Sequence, residues 1–292
     1  MKHGKVVTIL VLLIAILAIF ATSYAIFSTG GDGGSTYRSI RGETVSIYGK
    51  GLYKHMSSEV AIQGIAQDYV TLFIGVPCLL VGLYLGVKGS IRGLFVLAGS
   101  LGYFLLTYLF YTAMAMYNEL FLVYAALLAC SFFAFILTLL SFDFPRLENT
   151  YTSRKTIHAT GIFLVVNCSL IALLWLGSII PPLLDGTLYP EGLQHYTTLI
   201  VQGFDLGLFL PIGFVSGILA IRRNALGYLF ATIYVLFLCL LMSALTAKVL
   251  FMARAGYPVI PVIFIMPTIL MVALLFSTAL LKSLQQSEQT TA

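Results

Sequence analysis

Eight long apolar runs constrain this chain more than any other feature. They are Val6–Phe27, Tyr69–Val87, Gly93–Met116, Leu120–Phe142, Ile157–Ile180, Thr198–Ile221, Gly227–Ala247 and Val259–Leu281. Crossing roughly 30 Å of hydrocarbon at about 1.5 Å per residue takes about 20 apolar residues, and each run meets that length. The runs are rich in Leu, Ala and Gly and lack the alternation of a barrel strand, so they predict helices. In lipid a helix keeps every backbone polar group bonded within its own segment. The expected fold class is all-α: a polytopic transmembrane helix bundle of about eight spans, in a single transmembrane domain covering residues 1–292.

Composition agrees. Only 9% of residues are charged, 16 Lys and Arg against 11 Asp and Glu, where a soluble domain carries roughly 25%. So few charges cannot cover a water-soluble surface, which excludes soluble enzymes, nucleic-acid binders and disordered chains. The net charge of +5 has a simple origin, because cytoplasmic loops collect Lys and Arg. With both termini in the cytoplasm, the inner side carries Lys2, Lys5, Lys88, Arg92, Arg146, Arg154, Lys155, Arg222, Arg223 and Lys282. The outer side carries Arg38, Arg41, Lys50, Lys54, Lys248 and Arg254, four of them in one long loop. The expectation is a cell-membrane protein with cytoplasmic termini.

The first span has two readings. Lys2, His3 and Lys5 form a basic leader, and Ser23-Tyr24-Ala25 resembles a signal cleavage site. Its apolar run exceeds the usual signal length of about 7–15 residues, which favours an uncleaved anchor. The following extracytoplasmic loop, residues 28–67, opens with the flexible Gly30-Gly31-Asp32-Gly33-Gly34. Within it, Thr44-Val45-Ser46-Ile47-Tyr48 alternates like a short strand before the turn-like Gly49-Lys50-Gly51. A small cap and a plain tether both fit.

The second and sixth spans resemble one another. Placing Pro77 on Pro211, an offset of 134 residues, puts Val81 on Val215, Lys88 on Arg222 and Gly93 on Gly227. Spans one to four and five to eight then read as two parallel four-helix repeats, a construction known among transporters. Any two helices with a proline and a basic end also align this way.

A charge in hydrocarbon costs about 2.5 kcal/mol or more, so polar residues near the spans are the best functional pointers. Asp205 is the one carboxylate inside a run, about one turn deep on the outer side, and Asp68 opens the second span at the same height. Gln67, Gln202, Asn118 and Glu119 share that level. An outward-facing vestibule floored by Asp205 is one expectation, with Asp205, Gln202, Asp68, Gln67, Asn118 and Tyr111 as ligand-binding candidates. The plainer alternative pairs Asp205 with Lys248 to hold the bundle together. Ser100, Tyr103, Thr107, Tyr111 and Asn118 lie on one helix face, answered by Tyr124, Ser131 and Thr138 on the next span. Such stripes, and Asn167 in the fifth span, more often bond helix to helix than line a ligand path. Trp175, Tyr189, Tyr196 and Tyr257 fit interfacial anchoring.

Several chemistries find no motif. Cys78, Cys130, Cys168 and Cys239 form no CxxC pair, the four histidines are dispersed, and Walker, GxSxG and HExxH patterns do not occur. Neither catalytic residues nor a metal or cofactor are expected. The stretches Gly102-Tyr103-Phe104-Leu105-Leu106-Thr107-Tyr108, Tyr117-Asn118-Glu119-Leu120-Phe121-Leu122-Val123-Tyr124 and Gly64-Ile65-Ala66-Gln67-Asp68 resemble segments of a family of uncharacterised prokaryotic multi-pass membrane proteins. That resemblance covers mainly spans two to four and implies a bacterial or archaeal membrane. It implies no activity or ligand.

Three function classes remain. The leading one is small-solute or ion binding and transport through the outward polar pocket. The others are an accessory, assembly or sensory subunit of a membrane complex and a lipid-modifying membrane enzyme. The partners expected are the lipid bilayer, a small solute or ion, and membrane protein subunits, with no nucleic acid.

Overall fold

The computed structural model describes residues 1–144, 147–190 and 192–285. Among them are eight helices long and apolar enough to cross a membrane: α1 (Gly4–Phe27), α2 (Ser58–Val87), α3 (Ile91–Ala113), α4 (Phe121–Leu139), α5 (Arg154–Leu184), α6 (Ile200–Ile221), α7 (Ala225–Arg254) and α8 (Val262–Ser283). The protein is a multi-pass membrane helix bundle, as its sequence predicts. Three ends differ from the apolar runs. Helix α2 begins at Ser58, not Tyr69, because Ser57 caps it by accepting the Val60 N–H and Glu59 meets the positive helix end. Polar Gln63, Gln67 and Asp68 dilute hydropathy there and hide the first turns. Asp68 therefore lies inside a spanning helix rather than at its mouth. Helix α7 likewise continues to Arg254, which places Lys248 within it. Helix α5 runs on through Pro181 and Pro182 to Leu184.

The 134-residue offset recurs in the backbone, element by element. Helices α2 and α6 each contain one wide π turn, Thr71–Gly75 and Asp205–Phe209. Regular helix resumes at Val76–Val87 and Leu210–Ile221, with a proline in the first turn of each. Proline lacks an N–H and its ring crowds the carbonyl four residues back; a π turn just before it takes up the mismatch. In the tight turn that follows, Lys88, Gly89 and Ser90 donate to the carbonyls of Tyr84, Gly86 and Leu85 at 3.2, 3.1 and 3.0 Å. Arg222, Arg223 and Asn224 donate to Ile218, Ala220 and Leu219 at 3.0, 3.1 and 3.0 Å, the same pattern shifted by the offset. Even the left-handed residue repeats, Gly89 at φ 85° and Arg223 at φ 60°.

Gly93 and Gly227 show why a glycine opens each following helix. A Cβ on Gly93 would lie 2.7 Å from the Gly86 nitrogen, and one on Gly227 2.2 Å from the Ala220 nitrogen. Backbones touch at both places, so no side chain fits. Helix α2 and the start of α3 thus share a backbone pattern with α6 and the start of α7, and α3 and α7 pack together at the centre, where a Gly99 Cβ would sit 2.6 Å from Leu236 Cβ. These two helices are mostly buried, whereas α5 and α8 expose most of their apolar surface, as lipid-facing helices do.

Between α1 and α2 the chain forms a small cap rather than a tether. Strands β1 (Ser35–Arg38) and β2 (Thr44–Ile47) pair antiparallel, Ser35 opposite Ile47 and Arg38 opposite Thr44. Arg41 ties the cap to the loop after α5, donating to the Gln194 and Tyr196 carbonyls at 3.2 and 3.0 Å. A turn at Gly51–Tyr53 then feeds Tyr53 toward the bundle.

Filling a backbone contact should be costly. Gly227→Val is expected to destabilise the protein by about 1–3 kcal/mol or more, lowering its unfolding temperature in detergent. Gly203→Val is the control, since nothing lies within 4 Å of a Cβ there; it should cost far less in the same thermal scan.

Candidate functional site

Helix α2 presents Gln67, Asp68 and Thr71 along one side, and α3 answers with Tyr103, Thr107, Tyr108 and Tyr111. Asp68 is only 2% exposed. One carboxylate oxygen accepts the Tyr53 hydroxyl at 2.5 Å and the other accepts the Tyr111 hydroxyl at 3.0 Å. Tyr111 also stands 3.3 Å from the Gly64 carbonyl, one turn up α2. Gly64 matters sterically, because a Cβ there would press to 3.2 Å from the Tyr53 ring. Burial, reinforced by the Asp68 charge, holds the Tyr53 phenol well above the ordinary tyrosine range, so Tyr53 acts as a neutral donor.

A second layer lies one turn deeper. The Gln67 amide donates to Tyr103 Oη at 2.7 Å and to Thr107 Oγ1 at 3.2 Å, and Thr71 Oγ1 bonds Tyr103 Oη at 2.8 Å. Tyr124 of α4 closes the side, its ring stacked 5.1 Å from Tyr111 and 6.1 Å from Tyr108. Tyr108 is fully buried, yet its hydroxyl has no hydrogen-bond partner. The cluster is therefore an enclosed set of phenols, hydroxyls and one amide around a single carboxyl group.

Among the described residues no Lys or Arg lies within 4.0 Å of that carboxyl group. Among the described residues the one ion pair within 4.0 Å is Lys54–Glu119, at the surface. Lys248 forms no ion pair within 4.0 Å with Asp68 or Asp205. An uncompensated buried carboxylate costs several kcal/mol, and each hydrogen bond to it recovers about 1.5–3 kcal/mol. The two phenols are the main compensation.

Of the six candidates, the structure unites Asp68, Gln67 and Tyr111. Asn118 lies at the rim, where its Oδ1 accepts the Leu120 N–H at 2.9 Å in the turn before α4. Asp205 and Gln202 do not join. Asp205 is partly exposed and accepts the Trp175 indole N–H at 2.9 Å from α5, while Gln202 makes no side-chain hydrogen bond among the described residues. Among the described residues neither Asp205 nor Gln202 is hydrogen-bonded to the Asp68 cluster. The direct Asp205–Lys248 pair is not formed either. The α3 stripe did signal Tyr103 and Thr107. Tyr53 comes from the cap, and nothing in its local sequence announces that it reaches a helix residue fifteen positions later. On α4, Ser131 and Thr138 are buried without partners, as is the Asn167 amide nitrogen on α5, so they pack without bonding helix to helix.

Fold and cluster together define a multi-pass membrane protein that encloses a polar cluster between α2, α3, α4 and the cap. Comparison with family models, with curated proteins and with solved structures yields no match.

The Tyr53–Asp68 bond should be measurable as a coupling. Tyr53→Phe is expected to cost about 1.5–3 kcal/mol, and much less in an Asp68→Asn background. A double-mutant cycle of denaturation in detergent checks this.

Proposed function

We propose that the protein binds a small ion or solute in a proton-linked manner, with Asp68 as the group that takes up and releases the proton, and that this binding serves transport. One observation carries the reading: an intramembrane carboxyl group, 2% exposed, with both oxygens held by phenols and no cation in contact. A carboxylate retained for structure alone is normally ion-paired. Here the ionised form accepts from Tyr53 and Tyr111, and the protonated form can donate back to a phenol oxygen, since a hydroxyl both gives and accepts. Ionisable residues inside the bilayer are functional candidates by default. The repeats support the same reading, because many transporters place their sites between such halves.

The topology that suits this reading puts the basic turns Lys88–Ser90 and Arg222–Asn224 in the cytoplasm of a cell-membrane protein, following the positive-inside bias. Both termini then face inward, and the cap with Tyr53 faces outward.

Infrared difference spectra of the reconstituted protein test the proton step. A carboxylic-acid carbonyl band that appears as pH falls, and disappears in Asp68→Asn but not in Asp205→Asn, is expected. In proteoliposomes under an imposed pH gradient, Asp68→Asn should abolish protein-dependent proton movement read by an internal dye. A wild-type spectrum with no titrating band from Asp68 would overturn the reading.

A further inference from the structure

Helices α5 and α6 are in backbone contact toward the side of the membrane away from the cap. A Cβ on Gly161 would lie 2.7 Å from the Gly217 carbonyl oxygen, and one on Gly217 2.7 Å from that of Gly161. Toward the cap a side-chain bridge joins the same two helices, the Trp175 indole N–H donating to Asp205 Oδ2 at 2.9 Å. Between the backbone contact and the bridge lies a groove of about 480 Å³, within the range of roughly 300–1,000 Å³ typical of ligand pockets. Ala172 and Leu173 of α5 and Leu206, Leu210, Phe214 and Val215 of α6 line it.

The groove opens sideways, since Leu173 and Val215 are 63% and 53% exposed. In a spanning bundle such surface faces hydrocarbon. From Leu206 to Val215 the lining extends about 14 Å at about 1.5 Å per residue, close to half of the roughly 30 Å hydrocarbon thickness. That is the depth of one leaflet, and so the reach of one acyl chain.

The cap-side end of the groove is polar. Asp205 precedes Leu206 in the chain, and Trp175 lies one turn beyond Ala172, so the bridge stands at the mouth. An indole there fits the headgroup level of a bilayer. The indole occupies one carboxylate oxygen, while Oδ1 accepts no hydrogen bond among the described residues. No Lys or Arg among them lies within 4.0 Å of it. A carboxylate at the edge of hydrocarbon is costly until donors and positive charge meet it. A ligand with an apolar chain and a cationic donor at its head matches both parts of the groove.

We propose that this groove binds an aminophospholipid of the cap-side leaflet, one acyl chain lying between α5 and α6 and the primary ammonium of its ethanolamine headgroup bonded to Asp205 Oδ1. A primary ammonium carries three N–H donors, whereas a choline headgroup of equal charge has no N–H to give. The hydroxyls of phosphatidylglycerol can donate, but that lipid brings a net negative charge to a carboxylate. The site is separate from the Asp68 cluster and makes no demand on the proton step.

Trp175 is the single tryptophan of the chain, so its fluorescence reads this site alone. The full chain is reconstituted in phosphatidylcholine vesicles containing increasing shares of phosphatidylethanolamine with brominated acyl chains, which quench a neighbouring indole. Brominated phosphatidylcholine and phosphatidylglycerol serve as comparisons. Phosphatidylethanolamine is expected to quench at about tenfold lower mole fraction than phosphatidylcholine, the factor that one charge-assisted hydrogen bond supplies. Asp205→Asn should bring the two lipids close to equal, and Ala172→Phe, which fills the groove, should weaken quenching by phosphatidylethanolamine. Equal quenching by all three lipids in wild type means ordinary boundary lipid and overturns the proposal. Stronger quenching by phosphatidylglycerol, or a preference for phosphatidylethanolamine that survives Asp205→Asn, overturns the ammonium–carboxylate pairing. A preference untouched by Ala172→Phe overturns the seat of the acyl chain. Should the variants fail to fold, wild type with N-methylated, N,N-dimethylated and choline headgroups decides: quenching should weaken as N–H donors are lost, and a flat series overturns the proposal.

Discussion

The carboxyl group of Asp68, inside a bundle with no cation bonded to it, is the constraint on which the rest of the structure turns. A charge in such a medium must be met by oriented dipoles, and the only strong ones available are hydroxyl groups. Two tyrosines meet it directly, Tyr53 from the cap and Tyr111 from α3, with Tyr103, Tyr108 and Tyr124 packed around them. The cap has to be built and latched so that Tyr53 reaches down to α2. Arg41 on the Gln194 and Tyr196 carbonyls, Gln194 on Glu59 at 3.0 Å, and Tyr196 beside Ser57 at 3.4 Å provide the latch. A loop that looks like a connector is therefore a structural arm of the buried site.

The repeats show what was kept and what was changed. Pro77 and Pro211, Gly93 and Gly227, and the π turns before each proline preserve the backbone. Positions facing the polar cluster diverge: Asp68, Thr71, Tyr103, Thr107 and Tyr111 in the first half correspond by the offset to Gln202, Asp205, Phe237, Leu241 and Leu245 in the second. At these positions the first half carries phenols and an acid, while the second carries Gln202, an acid one turn on, and three apolar side chains. Phe209 and Phe237 stack in the second half where Gly75 and Tyr103 meet in the first. Like backbone turns carry a polar cluster in one half and a mainly apolar one in the other.

Much of the site was legible along single helices. The spacing of Tyr103, Thr107 and Tyr111 put them on one face, and that face does meet Asp68. The polar Gln63, Gln67 and Asp68 lower the local hydropathy and make a longer helix look like a loop. The capping Ser57 with Glu59 two residues on was the local sign that α2 began earlier.

By itself the sequence determined that the chain is a multi-pass membrane protein with eight membrane-length helices, and it pointed to a shared pattern around Pro77 and Pro211. Those properties follow from local hydrophobic length and from proline and glycine, whose backbone effects need no partner. Only the tertiary structure decided which acid is buried, which tyrosines surround it, and that the start of α6 is less buried than the matching part of α2. These outcomes depend on how close two helices approach, and that distance is set by contacts between residues far apart in the chain, such as Gly64 under Tyr53 or Gly99 against Leu236.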